Sequence, residues 1–181
     1  MNKKPFELGI MVGRFQTLHS GHEFMIDKAV ELCDRVGIFI GSSQESGTEK
    51  NPFTYETRKE LLEAVYGDSI TICPLPDIGV GNNSLWGDYV LKNVSEYFGR
   101  YPDLVVSGKE NRRNTWYDGH DITEIFIPKT IDISASEMRE FFINNDFEEW
   151  KKYTNSKLWS RYDELRETVL ASMDNTETDS I

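Results

Sequence analysis

Two of the chain's three histidines, His19 and His22, stand three positions apart with Gly21 between them. They belong to Gly13-Arg14-Phe15-Gln16-Thr17-Leu18-His19-Ser20-Gly21-His22-Glu23, a polar turn between two apolar stretches. Ser20 and Glu23 have the spacing of a capping box, which predicts a helix beginning directly after Ser20. His22 then falls in the first helical turn and His19 just ahead of it. A helix start leaves backbone N–H groups unpaired and carries the positive end of the helix dipole. An anion there would meet amide donors, two imidazoles and the Arg14 guanidinium. The plainer alternative is that both histidines decorate a polar turn. A zinc-peptidase site is excluded, because His22-Glu23-Phe24-Met25-Ile26 lacks the second histidine that motif requires. There is no Walker-type loop, and Gly79-x-Gly81 is too short and wrongly placed for a dinucleotide fingerprint.

A second segment repeats the logic. In Ile133-Ser134-Ala135-Ser136-Glu137-Met138-Arg139, Ser134 and Glu137 have capping-box spacing, and Ser136 and Arg139 lie near the first helical turn. Taken alone, this segment caps a helix. Paired with the histidine turn, it offers two helix starts that a triphosphate is long enough to span.

What must position these groups is an alternation of short apolar runs and amphipathic stretches. Leu8 to Val12, Val36 to Ile40, Ile70 to Cys73, Leu104 to Val106 and Ile125 to Ile127 read as strands buried on both faces. Between them the spacing predicts helices over Gly21 to Cys33, Thr54 to Tyr66 and Ser84 to Phe98. This order implies an α/β fold, a parallel sheet with helices on both faces. Right-handed crossovers bring the loops that follow the strands to one edge, where ligands of such sheets bind. The polar loops after Val12, Ile40, Cys73 and Val106 are therefore expected to share a cleft. The last third reads as helical: Ser134 to Asn144, Phe147 to Tyr153, and a final helix with Leu158, Tyr162, Leu165 and Val169 on one face. Residues 1–173 read as a single domain and 174–181 as a disordered acidic tail.

With 20 Lys+Arg against 31 Asp+Glu, the formal net charge is −11. That balance argues against nucleic acid as a partner, which needs a dense basic surface, but not against a nucleotide, which needs only a few donors. Cys33 and Cys73 lie in apolar runs and read as small core residues suited to a reducing cytoplasm. No stretch is long enough to cross a bilayer, and the N-terminal residues lack a secretory apolar core. The expectation is a cytoplasmic protein with no membrane partner; a homo-oligomer is compatible with it.

Four segments carry a resemblance. Gly13-Arg14-Phe15-Gln16 with His19-x-Gly21-His22 resembles the signature of the HIGH-type nucleotidyltransferases, in the form found in archaeal-type nicotinamide-nucleotide adenylyltransferases. The stretch from Gly41-Ser42-Ser43-Gln44 through Asn51-Pro52-Phe53-Thr54 to Arg58 resembles that family's second block. Asn83-Ser84-Leu85-Trp86 resembles its Asn-x-x-Trp acceptor motif, and Ile133 to Arg139 its closing block. The blocks stand in the family's order over residues 9 to 152. Thr17 stands where the family usually has Pro. Ser107-Gly108-Lys109-Glu110 and the following residues to Gly119 depart from the archaeal pattern, so no adenine-binding residue is assigned there.

The resemblance implies a Rossmann-like nucleotidyltransferase that moves AMP from ATP to nicotinamide mononucleotide, giving NAD and pyrophosphate. It implies that His19, His22 and Arg139 are catalytic. Gly13, Arg14, Phe15, Ser134 and Ser136 join them in binding ATP. Ser42, Ser43, Arg58, Asn83 and Trp86 are implied on the acceptor side, with Trp86 stacking on nicotinamide and Asn83 hydrogen-bonding it. Read without the resemblance, Arg58 is an ordinary surface-helix arginine and Trp86 a core residue. Mg²⁺ is expected with ATP, held by phosphates and water, with no protein ligand assigned. His120 reads as solvated. The alternatives are the same chemistry on nicotinate mononucleotide or phosphopantetheine, and a non-catalytic NAD-binding sensor.

Overall fold

The computed structural model describes residues 3–79, 83–108 and 117–178. Strands β1 (Phe6–Gly13), β2 (Cys33–Gly41), β3 (Thr71–Leu75), β4 (Leu104–Ser107) and β5 (Thr123–Phe126) form one sheet. The order is β3-β2-β1-β4-β5 and every pairing is parallel. The chain winds outward from β1 to β3, then crosses back to β4 on the other side of β1. Between β1 and β4 successive connections diverge, and there a parallel sheet opens a crevice beyond its strand ends.

Each apolar run serves both faces by strict alternation. Leu8, Ile10, Phe39, Cys73, Leu75 and Val105 point into one core, and Met11, Val36, Ile38, Ile40, Leu104 and Val106 into the other. The first core is closed by α3 (Asn83–Phe98) through Val90 and Val94. The second is closed by α1 (Ser20–Leu32), α2 (Tyr55–Tyr66), α4 (Ala135–Ile143), α5 (Phe147–Lys152) and α6 (Tyr162–Thr178), with Ile26, Leu61, Met138, Trp150 and Leu165 all fully buried. Helices therefore cover both faces, as the alternation requires.

Several boundaries differ from the sequence expectation for local reasons. Cys33 opens β2 instead of ending α1: its N–H closes the helix on the Ala29 carbonyl while its backbone is already extended and paired with Phe6. Its sulfur also fills the space left by Gly9, where a Cβ would lie 2.4 Å from it. Strand β3 runs on through Pro74 to Leu75, which an edge strand tolerates because one side of its backbone needs no partner. Leu158 lies in a 3₁₀ turn, Ser156–Arg161, ahead of α6. Helix α6 continues to Thr178, beyond Asp174, where order was expected to end; residues 179–181 lie outside the described part. Cys33 and Cys73 are free and buried, and burial pushes both thiols well above their usual range.

Candidate active site

Strand β1 ends at Gly13, and the next six residues climb over the carboxyl edge of the sheet to the start of α1. Phe15 takes a left-handed backbone (φ 52°), a conformation that costs a residue with a Cβ on the order of 1 kcal/mol. Its buried ring sits beneath the turn, 4.9 Å between centroids from His22. Gly13 makes room for that ring, since a Cβ there would stand 3.1 Å from two of its atoms.

The cap of α1 is His19, not Ser20. The His19 Nδ1 accepts the Gly21 N–H at 3.1 Å, and the His19 carbonyl accepts the N–H groups of His22 and Glu23. Ser20 is the first helical residue, its own N–H given to the Tyr153 carbonyl at 2.8 Å. Glu23 turns away to accept from the Asn155 amide at 2.9 Å. The capping-box reading fails because an imidazole one residue earlier does the work of the hydroxyl. This also explains the glycine between the histidines: a Cβ on Gly21 would meet the His19 ring at 3.0 Å.

Since Nδ1 accepts, the proton of neutral His19 sits on Nε2. Burial, helped by the Lys129 charge and opposed by Glu137, lowers the His19 pKa to about 4. At neutral pH it is an uncharged donor with a fixed tautomer. His22 is half-buried and stacks on it, ring centroids 3.9 Å apart.

The second predicted helix start meets the first. Ser134 caps α4, accepting the Glu137 N–H at 3.2 Å. From the same turn, Arg139 Nη1 donates to the Gln16 carbonyl at 3.1 Å, 123 residues away in sequence, and to the Ala135 carbonyl; Nη2 donates to the Ser136 hydroxyl at 3.3 Å. Arg14 donates to Asn51 at 3.4 Å. Burial and then the Arg14 charge lower the Arg139 pKa, so the two guanidiniums lie within reach of each other's field. Gly13, Arg14, Phe15, His19, His22, Ser134, Ser136 and Arg139 thus gather at one edge, and the imidazoles, hydroxyls and guanidiniums among them are donors suited to a polyanion.

The residues that the resemblance implies on the acceptor side follow β2 and β3. Ser42 is buried, with a left-handed backbone (φ 47°), and the Ser43 N–H points to the Leu75 carbonyl at 3.4 Å. Gln44 ties the two loops together: its oxygen accepts the Asp77 N–H at 2.9 Å and its nitrogen donates to the Asp77 carboxylate. Trp86 is half-buried in the first turn of α3, 5.7 Å from the Tyr89 ring, whose hydroxyl donates to the Pro76 carbonyl. Trp86 also packs against the smaller core. Asn83 opens α3, but its side chain and residues 109–116 lie outside the described part. His120 is exposed, with Tyr101 edge-on to it.

Arg58 departs most from expectation. It is neither on the surface nor turned to an acceptor: it is fully buried, and its hydrogen bonds run to the carbonyls of Arg14, Gly41, Ser42, Glu45 and Thr54. Gln16, which carried no role in the sequence reading, is also buried; its amide pairs reciprocally with the Phe53 N–H (2.9 Å) and carbonyl (3.0 Å). Its place in Gly-Arg-Phe-Gln and the conspicuous Asn51-Pro52-Phe53-Thr54 were the available signals, but only the fold shows that the two segments meet.

Comparison with known proteins agrees with this geometry. Residues 10–149 match the cytidylyltransferase-like family model. A nicotinamide-nucleotide adenylyltransferase of Thermococcus onnurineus is 34% identical over 145 residues, 76% of this chain and 73% of that protein. The chain belongs to this family. The namesake enzyme of Methanococcus aeolicus is 28% identical over 86% of this chain and 88% of its own. Among solved structures, the bifunctional NMN adenylyltransferase/ADP ribose pyrophosphatase of Francisella tularensis, complexed with AMP and a manganese ion, has a TM-score of 0.73 and 22% identity. It covers 94% of this chain, which spans 53% of that one. Among the described residues no helix is long and apolar enough to cross a membrane.

Proposed function

We propose that this family member transfers the adenylyl group of ATP to nicotinamide mononucleotide, releasing pyrophosphate and forming NAD. The single observation that carries the reading is the Arg139–Gln16 hydrogen bond, which joins the α4 start to the turn before His19. Relatives named for this reaction, 34% identical to the chain over 76% of its length, support it.

In this reading the acceptor's phosphate oxygen attacks the α-phosphorus of ATP, the bond to the bridging oxygen breaks, and pyrophosphate leaves with the electron pair. No covalent enzyme intermediate is needed. Positioning and charge stabilisation do most of the work in such transfers. His19 and His22 donate to phosphate oxygens as charge builds on them, His19 through its Nε2–H. Arg14, Arg139, Ser134 and Ser136 hold the leaving pyrophosphate. The donors on the protein suit phosphate oxygens, so Mg²⁺ would be held chiefly by ATP and water, neutralising charge on the triphosphate. In this reading Ser42 and Ser43 would hold the acceptor phosphate, and Trp86 with Asn83 would take its nicotinamide. Such chemistry on a small soluble metabolite suits a cytoplasmic location.

The test offers ATP and Mg²⁺ with nicotinamide mononucleotide, nicotinate mononucleotide and phosphopantetheine in turn, and measures pyrophosphate. The nicotinamide acceptor is expected to give the highest kcat/KM, and His22→Ala to lower kcat at least 100-fold with an unchanged circular dichroism spectrum. Near-normal turnover in that variant would remove the mechanism. No pyrophosphate release with any of the acceptors, but NAD binding intact, would make the protein a sensor.

A further inference from the structure

Arg58 is a full positive charge with no exposed surface, and its partners are five backbone carbonyls. Nη1 bridges the turns that follow β1 and β2, donating to the carbonyls of Arg14 and Gly41 at 2.9 Å each. Nη2 donates to the carbonyls of Ser42 at 3.0 Å and Glu45 at 3.4 Å. Nε closes back on Thr54, the cap of its own helix, at 3.1 Å. The planar fork has five N–H groups, and these five acceptors use them all. No donor remains for a substrate phosphate.

The carbonyls it holds are not arbitrary. The Arg14 carbonyl belongs to the peptide leading into Phe15, and the Gly41 and Ser42 carbonyls flank and follow Ser42. Phe15 and Ser42 are two of the three non-glycine residues with left-handed backbone among those described. Such conformations persist only where surrounding contacts over-determine them. On the proposed function, one turn carries the phosphate-binding groups for ATP, and the other leads to the acceptor side. The distance between them sets how closely the attacking oxygen approaches the α-phosphorus.

Resting on the reading above, we propose that Arg58 is the positioning residue of the reaction: its fork fixes the spacing between the ATP-binding turn and the acceptor turn without touching either substrate. Losing it leaves each half-site's own groups in place but lets the two drift. A misplacement near 1 Å costs on the order of 100-fold in rate. Its effect therefore falls on kcat and spares the KM values. Lysine keeps the charge but not the fork, so charge alone does not rescue the function.

The experiment compares wild type with Arg58→Lys and Arg58→Gln, assayed well below each variant's own melting temperature. Both variants are expected to lose between 10- and 100-fold in kcat, with the KM for ATP and for nicotinamide mononucleotide each within about threefold of wild type. A folded Arg58→Lys with wild-type kcat would overturn the proposal, as would a kcat loss that merely tracks the unfolded fraction. If neither variant folds, the wild type labelled with ¹⁵N-arginine decides. Its slowly exchanging guanidinium resonance should shift on saturation with ATP and again with nicotinamide mononucleotide; a resonance deaf to both would overturn the clamp. Wild type that forms no NAD refutes the proposed activity instead, and the resonance's response to ATP and pyrophosphate then judges the clamp alone.

Discussion

His19 illustrates how one side chain takes on several duties. It caps α1, fixes its own tautomer by doing so, and crowds position 21, where a Cβ would stand 3.0 Å from its ring. Burial holds it neutral, and that has a stability consequence with a definite sign. Its folded pKa, about 4, is below the ordinary imidazole value of 6.5, so between these pH values the unfolded chain binds more protons than the folded one. Stability then rises with pH across that window and is lost as pH falls from 6.5 toward 4, by roughly 3 kcal/mol at most. Urea unfolding of wild type and His19→Gln at pH 7 and pH 5 checks this. The wild type is expected to lose more stability on acidification than the variant; equal losses would mean that the imidazole is not desolvated. Glu23, raised by burial, pulls the other way in both proteins and cancels from the comparison.

Among the elements, it is the short connections that are braced most heavily. Gln16 imitates a strand: its amide exchanges hydrogen bonds with the Phe53 backbone as a neighbouring residue in a ladder would, while its carbonyl accepts from Arg139. The turn before His19 is thus held to the segment leading into α2 on one side and to α4 on the other. Gln16→Leu would leave the buried Phe53 N–H and carbonyl without partners, at about 1–3 kcal/mol for each unpaired group. The expected outcome is a lower urea midpoint with an unchanged m-value, and a fall in kcat larger than that of a surface control such as Gln44→Leu. A midpoint within error of wild type would show that water replaces the amide.

Across the whole molecule, β1 lies between β2 and β4, beside both halves of the proposed site. The turn after it meets α4 and carries Arg14, His19 and His22, the proposed phosphate donors, while the loops after β2 and β3, tied by Gln44 and Asp77, lead to Trp86 on the other face of the sheet. Lesions in the two halves should therefore separate. Arg139→Met is expected to raise the KM for ATP at least 10-fold and change that for nicotinamide mononucleotide little. Trp86→Ala is expected to do the reverse by a similar factor. Steady-state kinetics with each substrate varied in turn measures both, and equal effects of either variant on the two KM values would count against the division.

The sequence by itself determined the strand–helix alternation, the parallel sheet, the two helix starts and the residues gathered at them. Those features are local: apolar runs, periodicity and capping residues act over a few positions, and each can be read where it stands. The exceptions are also instructive. Ser20 has the right spacing for a cap, but competition with the neighbouring His19 is settled by backbone geometry that spacing does not encode. Arg58 looked like a surface or substrate-facing arginine because its five acceptors are main-chain carbonyls, which every residue has and no sequence pattern marks. Gln16 and Phe53 are 37 positions apart, and only folding brings the amide to that backbone. Which side chains are spent on holding the loops and which stay at the sheet edge was decided by tertiary structure, because burial and long-range hydrogen bonding belong to the assembled sheet edge and not to any one segment of the chain.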